Sequence, residues 1–111
     1  MTPLAELAAS VTDCVVAAWI DARTGAVLAR YTADGGQPLD TALDAALDAA
    51  TEVMRSRQRP PRMVLLSARH VHIIHRLAAD PRRALIVICE RSPNIGLAVA
   101  LTRKFAEAEA A

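Results

Sequence analysis

Aromatic side chains are scarce in this chain of 111 residues, which has one Trp, one Tyr and one Phe. The hydrophobic core must therefore be built from Ala, Val, Ile and Leu. Proteins that read RNA stack its bases on aromatic rings, and phosphate binding calls for an excess of basic residues, whereas the net charge here is only +1. We expect no nucleic-acid partner. One basic cluster that would meet phosphates is explained more simply as the solvated end of a helix; it comprises Arg55, Arg57, Arg59 and Arg62.

Glycine is scarce too, and no stretch forms the Gly-rich loop that cradles phosphate groups in nucleotide-binding proteins. The four glycines are Gly25, Gly35, Gly36 and Gly96. Ser67 and Ser92 also lack the Gly-rich turn that presents a nucleophilic serine. The sequence therefore predicts no catalytic residue, no cofactor and no enzyme active site.

Cysteine is represented only by Cys14 and Cys89, which lack C-x-x-C spacing and fall inside apolar runs. Thiols of this kind are typically inert core residues of a reduced protein. No apolar run approaches the roughly 20 residues that a membrane-spanning helix needs. Residues 1–10 include Glu6 and lack the basic start of a secretory signal. We expect a cytoplasmic protein that does not insert into membranes.

The most apolar stretch is residues 84–89, which holds six apolar side chains in a row, three of them β-branched. Because it does not alternate with polar residues, it is expected to be buried on both faces, as the central strand of a sheet is. Residues 14–20 form a second such strand, and residues 21–25 a turn into an edge strand at 26–31. Two further strands are predicted at residues 63–66 and 71–77.

Helical periodicity is present at both ends of the chain. Residues 4, 7, 8 and 11 form one apolar face after a start at Thr2 and Pro3. A last helix begins after Ser92 or Asn94 and carries apolar side chains on one face as far as Phe105. With a middle helix, the order is α-β-β-α-β-β-β-α, which predicts a single α+β domain over residues 1–111.

The middle helix is predicted at residues 39–56 from a four-residue repeat of Leu-Asp-x-Ala type. Spacing of four places its Leu and Ala residues in neighbouring rows, beside an acidic stripe of Asp40, Asp44 and Asp48. In one interpretation, the apolar rows pack on the sheet and the Asp residues face water. In the other, the apolar surface exceeds what one sheet face needs, and the surplus builds a dimer interface.

Three histidines, His70, His72 and His75, lie close together in the sequence. On a continuous strand His70 and His72 share a face, while His75 points the other way. A zinc site needs three or four converging ligands, so we expect no metal site and interpret the three as half-exposed strand residues.

The order of elements, the turn at residues 21–25 and the ending Val87-Ile88-Cys89-Glu90 followed by Asn94-Ile95-Gly96-Leu97 resemble the roadblock/dynein light-chain family, in its bacterial form. The resemblance covers essentially the whole chain. It implies a roadblock-like five-stranded antiparallel sheet in the order 2-1-5-4-3, flanked by helices. The central strand would be residues 84–90, with Cys14 and Cys89 on adjacent strands.

The resemblance also implies a function. Members of the family dimerise through the middle helix and the strand that follows it, and the dimers regulate or scaffold small Ras-like GTPases in polarity and signalling complexes. The dimer-interface residues would here be Leu39, Ala42, Leu43, Ala46, Leu47, Ala50, Met63 and Leu65.

Our first hypothesis is therefore a non-catalytic homodimeric module that regulates or scaffolds a Ras-like GTPase, with a GTPase-activating or polarity role. The alternative is a small-ligand or metal sensor domain, profilin-like or PAS-like in role, with His70 and His72 lining its pocket. A metal-dependent enzyme is a third hypothesis, motivated by the histidines alone.

Overall fold

The computed structural model describes residues 3–11, 13–32, 48, 52, 62–66, 70–77, 80, 82–90 and 94–110. The elements are α1 (Pro3–Ser10), β1 (Cys14–Asp21), β2 (Val27–Thr32), β3 (Arg62–Leu66), β4 (His70–Arg76), β5 (Arg83–Glu90) and α2 (Ile95–Ala110). All five predicted strands are confirmed to within one residue at each end. None of the helices among these residues is long and apolar enough to cross a membrane.

The five strands form one antiparallel sheet in the order β2-β1-β5-β4-β3, which confirms the order implied by the resemblance. β5 is the central strand, and its residues 84–89 are all buried. Ile86 lies opposite Ala18 of β1 on one side and Ile74 of β4 on the other. The unbroken apolar run is explained by this position, because a central strand covered on both faces has no side chain that reaches water.

One face of the sheet packs against α1 and α2. The predicted apolar face of α1 is confirmed, since Leu4, Leu7 and Val11 are buried against this face. Trp19 of β1 belongs to the same cluster, and its ring centroid lies 6.3 Å from that of Phe105 in α2. The scarce aromatic residues are therefore concentrated on this side, where they fill the space between sheet and helices.

The opposite face of the sheet is aliphatic. Its buried cluster contains Val16, Ile20, Ile74, Ile86 and Ile88, with small alanines beside them. These residues alternate along their strands with those that face α1 and α2, as the two-residue period of a strand requires. The sheet thus carries buried apolar side chains on both of its faces.

The β1–β2 hairpin is held by its turn. A carboxylate oxygen of Asp21 accepts hydrogen bonds from the backbone N–H groups of Arg23 (2.8 Å) and Thr24 (3.2 Å). Gly25 has φ of 82°, a left-handed conformation that glycine adopts without strain. Asp21 as the cap and Gly25 at the end of the turn therefore act as the sequence predicts.

The predicted middle helix at residues 39–56 lies outside the described residues except for Asp48 and Glu52, which are both helical and exposed. The last helix is confirmed. The carbonyl oxygen of Asn94 accepts the first hydrogen bond of α2, from the N–H of Ala98 at 3.1 Å, which places Asn94 at the N-cap.

Candidate functional site

The candidate interaction site is the outer edge of β3. Among the described strands β3 pairs only with β4, so the peptide groups on its other side face no neighbouring strand. Residues 63–66 are all apolar, and exposure alternates along them. Met63 and Leu65 are half-buried against the aliphatic face, whereas Val64 and Leu66 are exposed.

The exposure of Leu66 has a clear geometric cause. Val64 and Leu66 lie opposite Ile73 and Val71, so they are on the side of the sheet that carries the helices. α2 packs mainly over β4 and β5, so the outermost strand lies beyond its main contacts. Leu66 is therefore 58% exposed although its neighbour Val71 is buried.

The other edge of the sheet, β2, also carries exposed apolar side chains, Val27 and Leu28. It differs from β3 in two ways. The register between β1 and β2 shifts around Leu28, a bulge-type irregularity, and the charged Arg30 lies in the middle of the strand. Bulges and charges discourage pairing at a sheet edge, whereas residues 63–66 have neither. Of the two edges, β3 is the better suited to receive another strand.

The predicted interface residues fall into two groups. Met63 and Leu65 lie on β3 next to this edge, and their side chains contact the aliphatic cluster. The other six lie outside the described residues; they are Leu39, Ala42, Leu43, Ala46, Leu47 and Ala50. Sequence reasoning missed Val64 and Leu66. The signal that could have found them is that residues 63–66 are apolar at both odd and even positions, although the implied sheet order places this strand at the edge. One of its two apolar faces was therefore expected to be exposed.

The histidines are arranged as predicted but are buried more deeply. His72 lies opposite Ile88 on the aliphatic face, and His75 lies opposite Leu85 on the helix face, so the two do not converge. The expectation of half-exposed histidines holds for His70 but is wrong for His72, which is 5% exposed, and for His75, which is 9% exposed. β4 is an inner strand, so both of its faces are covered.

Burial has an electrostatic consequence for His72 and His75. Both ring nitrogens of His72 and Nδ1 of His75 are buried, and they find no hydrogen-bond partner among the residues that the structure describes. Burial lowers the pKa of both rings below the ordinary value of 6.5, because the imidazolium ion is poorly solvated there. Nearby His70 lowers the pKa of His72 further, and Arg62 and Arg103 lower that of His75, while Glu107 acts in the opposite direction.

A cleft of about 300 Å³ lies between α1 and α2. Its lining is mostly apolar and comprises Glu6, Leu7, Ser10, Leu101, Lys104, Phe105 and Ala108. The expectation that His70 and His72 would line a ligand pocket is not met by this cleft, because both histidines lie on the other face of the sheet. Within the described ranges, no group of three or more His, Cys, Asp and Glu side chains is arranged to hold a metal ion.

The sequence matches no protein-family model and no curated protein. The fold, in contrast, is shared with solved structures. MglC from Myxococcus xanthus superimposes with a TM-score of 0.74 at 13% identity, over 97% of this chain and 93% of that one. A Roadblock/LC7 domain from Streptomyces avermitilis gives 0.69 at 12% identity, over 96% and 90%. The gliding protein MglB from Thermus thermophilus gives 0.65 at 22% identity, over 97% and 86%.

These similarities extend over nearly the whole of each chain. At such low identity they establish the architecture through the backbone rather than through shared side chains. In its fold, this chain is a roadblock-like domain.

Proposed function

We propose that this chain is a non-catalytic homodimeric module that regulates or scaffolds a small Ras-like GTPase. The observation that carries the proposal is the open β3 edge, where Val64 and Leu66 are exposed in a roadblock-like fold. A solved MglB, which is 22% identical to this chain, is described with a tetrameric arrangement, which supports an assembling module.

Dimerisation through β3 follows from the chemistry of a sheet edge. Two copies related by a two-fold axis would place their β3 strands antiparallel, and each strand would satisfy the other's free peptide groups. The same contact would bury Leu66 and Val64, whose apolar surface stabilises association by about 25 cal/mol for each Å² removed from water. Two five-stranded sheets would then join into one sheet of ten strands.

The GTPase part of the proposal rests on the resemblance to the roadblock/dynein light-chain family. A continuous ten-stranded platform presents the same surface twice, which suits a partner that must be held in a defined orientation. The role would be conformational or scaffolding, because a bound module can order the catalytic groups that the GTPase itself carries. No residue of this chain is assigned a catalytic role.

Affinity capture tests the partner. The immobilised protein is incubated with lysate of its source organism, in parallel with a non-hydrolysable GTP analogue and with GDP. Retention of a Ras-like GTPase in one nucleotide state supports the regulator proposal, and nucleotide-independent retention of other proteins indicates a plain scaffold. The Leu66→Asp variant is the matched control, since it should be monomeric and retain less partner if the dimer forms the platform.

The cleft between α1 and α2 favours a second candidate, a small-ligand sensor. Its volume of about 300 Å³ is at the lower end of ligand-binding cavities. Lys104 and Glu6 line a mostly apolar surface, so an amphipathic molecule with one charged group fits the site best. An empty capture experiment together with thermal stabilisation by a metabolite panel, abolished by Leu101→Glu, would favour this candidate over the first.

A further inference from the structure

Cys14 and Cys89 face each other across the two most buried strands of the sheet. They are direct partners in the β1–β5 register, beside a shift of that register between Cys14 and Val16, and both are free thiols. Cys14 is 9% exposed and Cys89 is 2% exposed.

The hydrogen bonds around the pair define its geometry. The N–H of Glu90 donates to the carbonyl oxygen of Asp13 at 3.0 Å. These are the residues that directly follow Cys89 and directly precede Cys14, so the cysteines occupy a non-hydrogen-bonded position of the antiparallel ladder. Opposed Cα atoms are closest at such positions, at about 4.5 Å, which falls within the range of about 4.4–6.8 Å that disulfides span.

Each thiol changes the pKa of the other. The Cys14 thiol donates a hydrogen bond to the carbonyl oxygen of Val16 at 3.5 Å. The neighbouring Cys89 and burial raise the pKa of Cys14, whereas the neighbouring Cys14 lowers the pKa of Cys89, so Cys89 is the member of the pair that ionises first. When one thiolate of a pair attacks an external disulfide, the second thiol is placed to attack the mixed disulfide that results.

The pair also lies where the sheet can open. Cys14 is the first residue of β1, and Cys89 is the last but one of β5. Asp13, just before the pair, is exposed and adopts a positive φ of 59°, so the regular strand ends there. The ends of strands open with a smaller free-energy cost than their centres, which gives a small reagent access to buried groups.

We propose that Cys14 and Cys89 form a redox-responsive pair that closes into an intrachain cross-strand disulfide when the protein meets a low-molecular-weight disulfide such as oxidised glutathione. The Cys89 thiolate attacks one sulfur of the reagent and expels one thiolate. Cys14 then loses its proton to solvent and attacks the Cys89 sulfur, which expels the second thiolate. Two protein thiols are oxidised to one disulfide, and one reagent disulfide is reduced to two thiols.

The bond would join two neighbouring strands at one end of the sheet and close a loop from residue 14 to residue 89. Closing so long a loop restricts the unfolded chain more than the folded one. The oxidised protein should therefore unfold at a higher temperature than the reduced protein. Oxidation would also link the start of β1 covalently to the end of β5, close to the start of α2.

The test is a redox titration of the native protein in glutathione buffers, with intact-mass measurement after acid quenching. The expected product is a monomer about 2 Da lighter that contains no free thiol. Trypsin should release residues 1–23 linked to residues 84–91, since Arg23, Arg83 and Arg91 bound these peptides. The same titration in urea measures disulfide formation by the two thiols in the unfolded chain. The folded protein should reach half oxidation at a roughly tenfold lower proportion of oxidised glutathione.

Cys14→Ser and Cys89→Ser are the matched controls, with folding checked by the fluorescence of Trp19. Each keeps one thiol, so each can form only a mixed disulfide with glutathione, and Cys14→Ser should form it faster than Cys89→Ser. Thiols that stay reduced in the native protein under conditions that oxidise the unfolded chain would overturn the proposal. Cross-linked dimers as the main product would overturn it as well.

Discussion

The guanidinium group of Arg83 lies over the indole ring of Trp19, with the guanidinium carbon 4.5 Å from the ring centroid. The two residues belong to neighbouring strands, and Trp19 is buried on the face that packs against α1 and α2. The indole ring is thus covered by Arg83 and lies 6.3 Å from the ring of Phe105. The only tryptophan of the chain therefore reports on the packing of sheet and helices.

Removing this cation–π contact should destabilise the protein. Arg83→Ala is expected to lower the free energy of unfolding by about 1 kcal/mol, through the lost contact and the lost cover over the ring. The matched control is Arg82→Ala. Arg82 is exposed and pairs with Asp21 at 3.5 Å, an ion pair that should contribute less than about 0.5 kcal/mol. Urea unfolding followed by Trp19 fluorescence measures the free energy of unfolding of both variants. Equal losses of stability in the two would contradict a stabilising contact between Arg83 and Trp19.

A charge on the β3 edge should prevent dimerisation. Leu66→Asp places a carboxylate in the proposed apolar contact, so the dimer dissociation constant should rise about 100-fold. Leu28→Asp on β2 is the control, because Leu28 is 53% exposed, close to the 58% of Leu66, but lies at the other edge. Light scattering after size-exclusion chromatography gives the mass. A dimer that survives Leu66→Asp and dissociates with Leu28→Asp would place the interface on β2.

Acid should destabilise the fold through its buried histidines. The folded protein resists protonation of His72, while the unfolded chain binds the proton below the ordinary pKa of 6.5. The stability associated with the neutral ring is therefore present above pH 6.5 and is lost as the pH falls through the window between 6.5 and the lower pKa of the folded state. His72→Leu should flatten the dependence of the urea midpoint on pH.

His75→Leu offers an independent check of the same effect, since His75 lies on the opposite face of the sheet. The two substitutions share no partner in the described part of the chain, so their effects on the midpoint at about pH 5 should add. Identical slopes of stability against pH in the parent and the double variant would show that these rings do not control acid sensitivity.

Two glycines should respond to alanine in opposite ways. Gly96 lies in the first turn of α2, and a Cβ there would meet no described atom within 4 Å apart from its chain neighbours and its own helix backbone, so Gly96→Ala should stabilise the protein by about 0.5–1 kcal/mol. Gly25→Ala should destabilise it by about 1–2 kcal/mol, because φ is 82° at that position. Thermal unfolding compares the two. Loss of partner capture by a stable Gly96→Ala protein would indicate that a partner approaches this open surface beside exposed Leu97.

The strands and the faces of their side chains were predictable because they depend on local pattern. The run at residues 84–89 has no polar residue to place in water, so a central strand was the natural interpretation, and β5 confirms it. The alternation around His72 and His75 likewise assigns the two rings to opposite faces, and the register of β4 confirms it. The cap at Asp21 and the φ of Gly25 follow from the chemistry of a short turn.

What the sequence alone determined, then, is which residues form strands and which face each side chain takes, since both follow from a period of two along the chain. How deeply each face is buried was decided by the tertiary structure. His72 and Leu66 both lie among apolar residues of a strand. His72, however, lies on an inner strand and is buried, while Leu66 lies on the outermost strand, beyond the main contacts of α2. The meeting of Cys14 with Cys89 was likewise decided by strand order and register, which arise from contacts between residues far apart in the chain.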